Sequence, residues 1–183
     1  MSIIQSFLIR DALRGGKMKI LGIDPGLRAM GYGVVAREGN VLRLVDSATI
    51  ETRAKDPFPD RLCRLYNGVA EVIARHSPDV LVMEKPIYCQ NIKTALVLGQ
   101  AGGAAILAAA QAGIELVEFT PLEVKKAVTG KGRAGKEQVQ KMVKVLLDLR
   151  ELPPVDHISD ALACAICYAH SEKLLRFRAA ARR

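Results

Sequence analysis

Apolar residues come first in strand-length runs and then recur at helical spacing. Lys19–Asp24, Gly31–Arg37 and Val41–Ile50 read as three strands, with Glu38-Gly39-Asn40 supplying a hairpin turn between the second and third. Leu62, Leu65, Val69, Val72 and Ile73 lie three or four apart and predict a helix over Arg61–Arg75, broken by Ser77-Pro78. Asp79–Glu84 follows as a buried strand. A helix of small residues is expected over Ile92–Ala112, and a strand over Ile114–Phe119. Thr120-Pro121 opens a short helix to Val128, and Thr129–Gly135 is a glycine-rich cationic loop. Glu137–Leu149 is amphipathic, Pro153-Pro154 is a break, and Asp156–Arg176 is the last helix. Three strands joined in succession, then alternating helices and strands, predict an α/β fold with a mixed sheet flanked by helices. In Ile92–Ala112 the glycines Gly99, Gly102 and Gly103 suit close backbone approach. Core packing is the default reading of that helix and a subunit interface the alternative.

At 183 residues the chain is expected to form one domain over 18–176. Residues 1–17 read as an N-terminal extension outside the fold, because Met18 directly precedes the first strong strand. Residues 177–183 read as a basic tail. Lys and Arg number 27 against 19 Asp and Glu, a formal charge of +8, which favours a polyanionic partner such as nucleic acid. Aromatic residues are few, so base-stacking platforms are sparse. Four cysteines without a dense framework, and no evident signal peptide, point to a reducing cytoplasm. Cys164-Ala-Ile-Cys167 lies within an apolar run and reads as buried packing rather than a zinc knuckle. The weakly polar run Ala101–Ala112 is too short to span a bilayer, and no membrane association is expected.

Chemistry concentrates at strand ends. Lys19–Asp24 and Asp79–Glu84 are apolar runs that each end on a carboxylate, where open α/β sheets place their ligands. Pro25-Gly26 suits the middle of a type II turn, with Gly26 at positive φ. Asp156, His157 and Asp160 fall within one helical turn, His157 and Asp160 three apart on one face. If that helix crosses the strand ends, the carboxylates crowd together and resist joint ionisation unless a cation compensates them. Oxygen ligands with at most one imidazole suit Mg²⁺ or Mn²⁺ better than zinc. Taken singly, Asp24 is also a turn cap, Glu84 an ordinary strand-end charge, and Asp156 an N-cap for the last helix.

Several motifs occur together in order. They are Ile20-Leu21-Gly22-Ile23-Asp24-Pro25-Gly26 with Gly31-Tyr32-Gly33-Val34, then Glu84, Asn91, Ala95-Leu96 and Leu98-Gly99-Gln100-Ala101 before Gly103. Val124-Lys125, Lys136 with Gln138-Val139-Gln140, and Ser159-Asp160-Ala161-Leu162-Ala163 complete the set. In order and spacing the chain resembles the RuvC-type Holliday-junction resolvases from Met18 to His170. The resemblance implies a ribonuclease-H-like fold, a homodimer, and paired nicks in opposed strands of a four-way DNA junction, in recombination and repair. It implies 5′-phosphate and 3′-hydroxyl ends, two Mg²⁺ per site with Mn²⁺ as a substitute, and a branch-migration machinery as partner. The family's acidic positions map onto Asp24, Glu84 and Asp160.

Two departures stand out. The remaining ligand position holds His157 where many members have Asp, and some members carry His there. Lys85-Pro86-Ile87-Tyr88 replaces a pattern ending in an aromatic pair, leaving Tyr88 as the one aromatic for base stacking. Lys125, Lys131, Arg133, Lys136 and Lys141 are the expected phosphate contacts. The rival readings are a sugar-kinase-like phosphotransferase, which 183 residues are too few to build, a non-catalytic junction-binding protein, and, nearest, a related ribonuclease-H-like nuclease with another substrate.

Overall fold

A computed structural model of the chain describes residues 17–85, 91–153 and 155–180, except for the side chains of 173–180. The strands are β1 (Lys17–Asp24), β2 (Ala29–Glu38), β3 (Val41–Glu51), β4 (Val80–Glu84) and β5 (Glu115–Phe119). The helices are α1 (Phe58–His76), α2 (Ile92–Gln111), α3 (Pro121–Thr129), α4 (Lys136–Leu146) and α5 (Asp156–Ala180). The strands form one mixed sheet in the order β3-β2-β1-β4-β5. β1, β2 and β3 pair antiparallel in succession, whereas β4 and β5 run parallel to β1. This is the expected ribonuclease-H-like α/β sheet.

Strand alternation sorts the side chains between two layers. Leu21 and Ile23 of β1, Met30, Tyr32 and Val34 of β2, and Leu81 and Met83 of β4 pack against α1 and α2. Met18 and Ile20, Val35, and Val80 and Val82 face the other layer, built on α5 with α3 and α4 behind it. Gly22 and Asp24 continue the series of Met18 and Ile20, and Glu84 that of Val80 and Val82. The period of two therefore aims both strand-end carboxylates at the α5 side.

That side is shaped by absent side chains. A Cβ on Gly22 would collide with the carbonyl oxygen of Ala161, one on Gly31 with the carbonyl of His157, and one on Gly33 with the side chain of Leu162. Three glycines on two paired strands thus let α5 lie directly on the sheet. From Ile158 to Ala169 every residue of α5 except Asp160 is buried. A buried ion pair, Arg37 Nη2 to Glu172 Oε2 at 2.9 Å, ties β2 to the far end of this contact. Cys164 and Cys167 are buried in the helix, as expected of packing residues. Burial pushes the Cys167 thiol up to about 12.

Several boundaries differ from expectation. Lys17, assigned to the extension, is the first residue of β1, paired opposite Glu38 and ion-paired to it at 3.1 Å. Gly26 does not take positive φ. It is needed because a Cβ there would meet the carbonyl oxygen of Ala29, so the turn is tight rather than left-handed. α4 stops at Leu146 instead of Leu149 because Asp148 adopts φ 52°, which no helix continues through. α5 continues to Ala180, past the expected end at Arg176. β3 carries one extra residue, Val45, where its register shifts between Val34 and Val35. That bulge bends the free edge of the sheet.

α2 is the described helix whose length and apolar composition would suffice to cross a membrane, more than the run Ala101–Ala112 suggested. One face of it, Ala101, Gly102, Ala105, Ala108 and Ala109, is buried in the α1 layer.

Substituting Gly22→Ala is expected to destabilise the protein by about 3 kcal/mol, the upper end for overpacking, since the obstacle is backbone and cannot swing away. Urea unfolding reads the loss. A variant within about 0.5 kcal/mol of the parent would show that the helix does not depend on that contact.

Candidate active site

Asp24 is the last residue of β1 and Glu84 the last of β4. Their strands are parallel neighbours with Ile23 opposite Met83, so the carboxylates leave the sheet side by side. α5 starts beside them because its first turn rests on Gly31. His157 Nδ1 lies 2.5 Å from Asp24 Oδ2, with the ring nitrogen donating to the carboxylate. Asp160, one turn on, lies close enough for its charge to act on both Asp24 and Glu84. The four residues expected from the sequence to form the site are therefore drawn together by three separate elements.

Electrostatics follow from that convergence. Burial pushes the Asp24 carboxyl above its ordinary value and the charge of Asp160 adds to this, against the opposing His157 hydrogen bond and the Lys136 charge. Burial likewise raises Glu84, reinforced by Asp160 and Asp24 and opposed by Lys125. These are like charges held in a partly desolvated cleft.

The cleft has a volume of about 240 Å³ and is lined by Asp24, Glu84, Asp160, Lys125, Lys136 and Cys164 among others. α3, opened by a capping box between Thr120 and Glu123, brings Lys125 to one wall. α4 brings Lys136, its first residue, to the other. Lys136 Nζ lies 3.3 Å from Asp160 Oδ2 and 3.1 Å from Asp156 Oδ2. Partial burial works against the Lys136 ammonium, but Asp156 and Asp160 outweigh it and hold its pKa above the ordinary value.

The remaining expected residues fall elsewhere. Lys131, Arg133 and Lys141 are exposed and lie off the cleft lining. Tyr88 lies outside the described residues. Asp156 is not an N-cap: its two oxygens hold Lys136 and Gln140 instead. Two neighbours were not anticipated as part of the site. Cys164 follows Asp160 by four residues and Gln140 follows Lys136 by four, so helical periodicity alone places each on the same face as its partner. A larger groove of about 760 Å³ lies between β3 and α1, but none of the converging residues lines it.

The donor set suits a hard divalent cation: three carboxylates and one imidazole, with desolvated like charges that positive charge would relieve. Among the described residues, no three His, Cys, Asp or Glu side chains are placed so that together they could hold a metal ion as they stand. Internal cationic and donor groups stand in that role, Lys136 at Asp160 and His157 at Asp24.

A mixed sheet in this order, with acidic residues ending its two central parallel strands and answered by a helix across them, defines a ribonuclease-H-like nuclease. The comparisons with known proteins agree. The family model described as crossover junction endodeoxyribonuclease RuvC matches residues 20–168. A crossover junction endodeoxyribonuclease RuvC from Geotalea uraniireducens is 52% identical over 157 residues, covering 86% of this chain and 91% of that protein. The structure of Thermus thermophilus RuvC in complex with a Holliday junction substrate superposes with a TM-score of 0.82 at 35% identity, covering 86% of this chain and 96% of that one. The yeast mitochondrial Holliday junction resolvase Ydc2, 14% identical, shares the fold with a TM-score of 0.64 over 87% of this chain and 81% of its own. The chain belongs to the crossover junction endodeoxyribonuclease RuvC family. It is an endodeoxyribonuclease, and enzymes of this family depend on divalent metal.

The raised carboxyls have a consequence for stability. A carboxyl whose folded pKa exceeds its unfolded value opposes folding once ionised; the penalty is full at neutral pH and disappears below the ordinary value of 4.5, where both states are protonated. Glu84→Gln is therefore expected to melt higher than the parent at pH 7.5, by no more than about 2–4 °C given the partial exposure of the group. The gain should shrink as pH falls toward 4. A calorimetric series over that range checks both the sign and the pH window; a lower melting temperature at pH 7.5 would show that Glu84 is stabilised where it lies.

Proposed function

We propose that this chain resolves four-way DNA junctions by paired nicks in opposed strands, leaving 5′-phosphate and 3′-hydroxyl ends. The observation that carries the reading is the meeting of Asp24, Glu84 and Asp160, from three elements, in one cleft walled by Lys125 and Lys136. In this reading Asp24, Glu84, Asp160 and His157 hold Mg²⁺, replaceable by Mn²⁺ and two per site. When bound, the metal supplies positive charge at the scissile phosphate and lowers the pKa of water beside it. The protein groups do the rest. Lys136 and Lys125 reach non-bridging phosphate oxygens, while the imidazole of His157 stays oriented by its bond to Asp24. Lys131 and Arg133, outside the cleft, hold flanking phosphates and set orientation without reading sequence. Tyr88, just beyond Glu84 in the chain, supplies the stacking surface. The setting is the cytoplasm, with a branch-migration machinery delivering junctions.

Paired incision needs two sites, and α2 supports a homodimer. Ile92, Leu96, Gly99, Gly103 and Leu107 recur every three or four residues and are all exposed, opposite the face buried on α1. A Cβ on Gly99 or Gly103 would meet nothing within 4 Å among the described residues. Such a stripe of apolar and small residues fits a second copy of the same helix.

Two expectations follow. A synthetic four-way junction in Mg²⁺ or Mn²⁺ should be nicked symmetrically while a linear duplex is spared. Asp24→Asn or Glu84→Gln should cut about 100-fold or more slowly yet still bind the junction. Tight junction binding without cleavage in either metal would favour a binding protein instead. Leu107→Glu should sediment as a monomer by analytical ultracentrifugation and lose the pairing of the two nicks. A variant that stays dimeric would remove α2 from the interface.

A further inference from the structure

Asp156 lies just outside the cleft, and its place in the chain suggests either a helix cap or a spare metal ligand. Its geometry fits neither. Oδ1 accepts from Gln140 Nε2 at 2.7 Å and Oδ2 faces Lys136 Nζ at 3.1 Å, so both oxygens are turned toward α4. The residue does not line the cleft. Lys136 and Gln140 are four apart on one face of α4, and gripping both sets how that helix is rolled against the start of α5.

Lys136 has a second partner inside the cleft, Asp160 Oδ2 at 3.3 Å. A lysine carries its charge on a flexible four-carbon stem and is oriented only by what holds its tip. A metal would compete with Lys136 for that Asp160 oxygen. Asp156 is not so contested, because it stands outside the acidic cluster. We propose that Asp156 is a positioning residue: it keeps the Lys136 ammonium at the cleft mouth when Asp160 is engaged elsewhere, so that the lysine meets the scissile phosphate already oriented. This rests on the reading of the cleft as the active site and goes beyond it by giving Asp156 a role exerted through Lys136.

The geometry also indicates where the effect appears. An exposed ion pair adds little to stability, so removing Asp156 should leave folding almost unchanged. Loss of orientation, by contrast, slows the chemical step more than it weakens binding.

The test is a double-mutant cycle on junction cleavage under single-turnover conditions, with junction Kd measured without divalent metal and Tm measured for each protein. The variants are Asp156→Ala, Asp156→Asn, Lys136→Ala and the double substitution. Asp156→Ala is expected to cut about 5- to 10-fold more slowly, with Kd changed less than about 2-fold and Tm within about 2 °C. Asp156→Asn, whose one amide oxygen can still accept from Lys136 while its NH2 donates to a flipped Gln140 amide, should recover part of the rate. The double variant should be no slower than Lys136→Ala alone. Three results would overturn the inference: an Asp156→Ala rate equal to the parent, a further loss from Asp156→Ala in the Lys136→Ala background, or a loss confined to Kd. If Lys136→Ala itself cuts at the parental rate, the placement of Lys136 in the site fails first, and the inference falls with it.

Discussion

The seating of α5 on β1 and β2 is the constraint on which the rest of the molecule depends. Helix and sheet normally pack through a layer of side chains on both sides. Here three positions of the sheet contribute none, because Gly22, Gly31 and Gly33 leave the strand backbone bare beneath Ala161, His157 and Leu162. The contact is therefore backbone against helix, and close packing of that kind has little slack. Its consequence is chemical. His157 can reach Asp24, and Asp160 can act on both strand-end carboxylates, because α5 lies directly on these glycines. The same contact buries α5 from Ile158 to Ala169 apart from Asp160 and supplies much of the core, so stability and site geometry share one set of residues.

The second constraint is charge. Strand alternation would deliver Asp24 and Glu84 to this face in any sheet of this register, and burial raises both pKa values, with the charge of Asp160 adding to each. Left alone, such a cluster would tend to take up protons or spread apart. The chain answers with cationic and donor groups from other elements: His157 from α5, Lys125 from α3 and Lys136 from α4. A divalent ion would meet a site whose repulsion is already partly relieved, and binding it means exchanging protein contacts rather than filling an open cage. That accounts for donor chemistry that suits a metal although, among the described residues, no three donors are placed to hold one as they stand.

Much of this was legible in the sequence, for a physical reason. Apolar runs ending on Asp24 and Glu84 report strands by their period and ligand positions by their ends, and helical spacing puts His157 beside Asp160. Among the described residues, the five strands and five helices appear where the periodicity places them, within a few residues. What escaped were facts that no local pattern encodes. The close approach at Gly22 depends on a helix some 140 residues further along the chain, and the tight rather than left-handed turn at Gly26 depends on where the Ala29 carbonyl falls. The early stop of α4 comes from Asp148 at positive φ, which the residue type permits without requiring. Asp156 was read as a cap because caps are local. Its actual partners lie 16 and 20 residues back, on a helix whose roll is a tertiary matter.

The cations then separate into two kinds, a distinction that a count of positive charge does not make. Lys125 and Lys136 are inside the cleft and already engaged with carboxylates, so their field acts on the reacting centre whether or not DNA is present. Lys131 and Arg133 stand on the α3–α4 loop, exposed and away from the carboxylates. In the proposed reading the loop pair contributes affinity, and that contribution is screened by salt like any surface phosphate contact. The cleft pair contributes to the chemical step, because it stands beside the carboxylates. A net charge of +8 is thus not one uniform adhesive surface. Part of it balances the active site, and only the remainder is free to hold the backbone of the substrate.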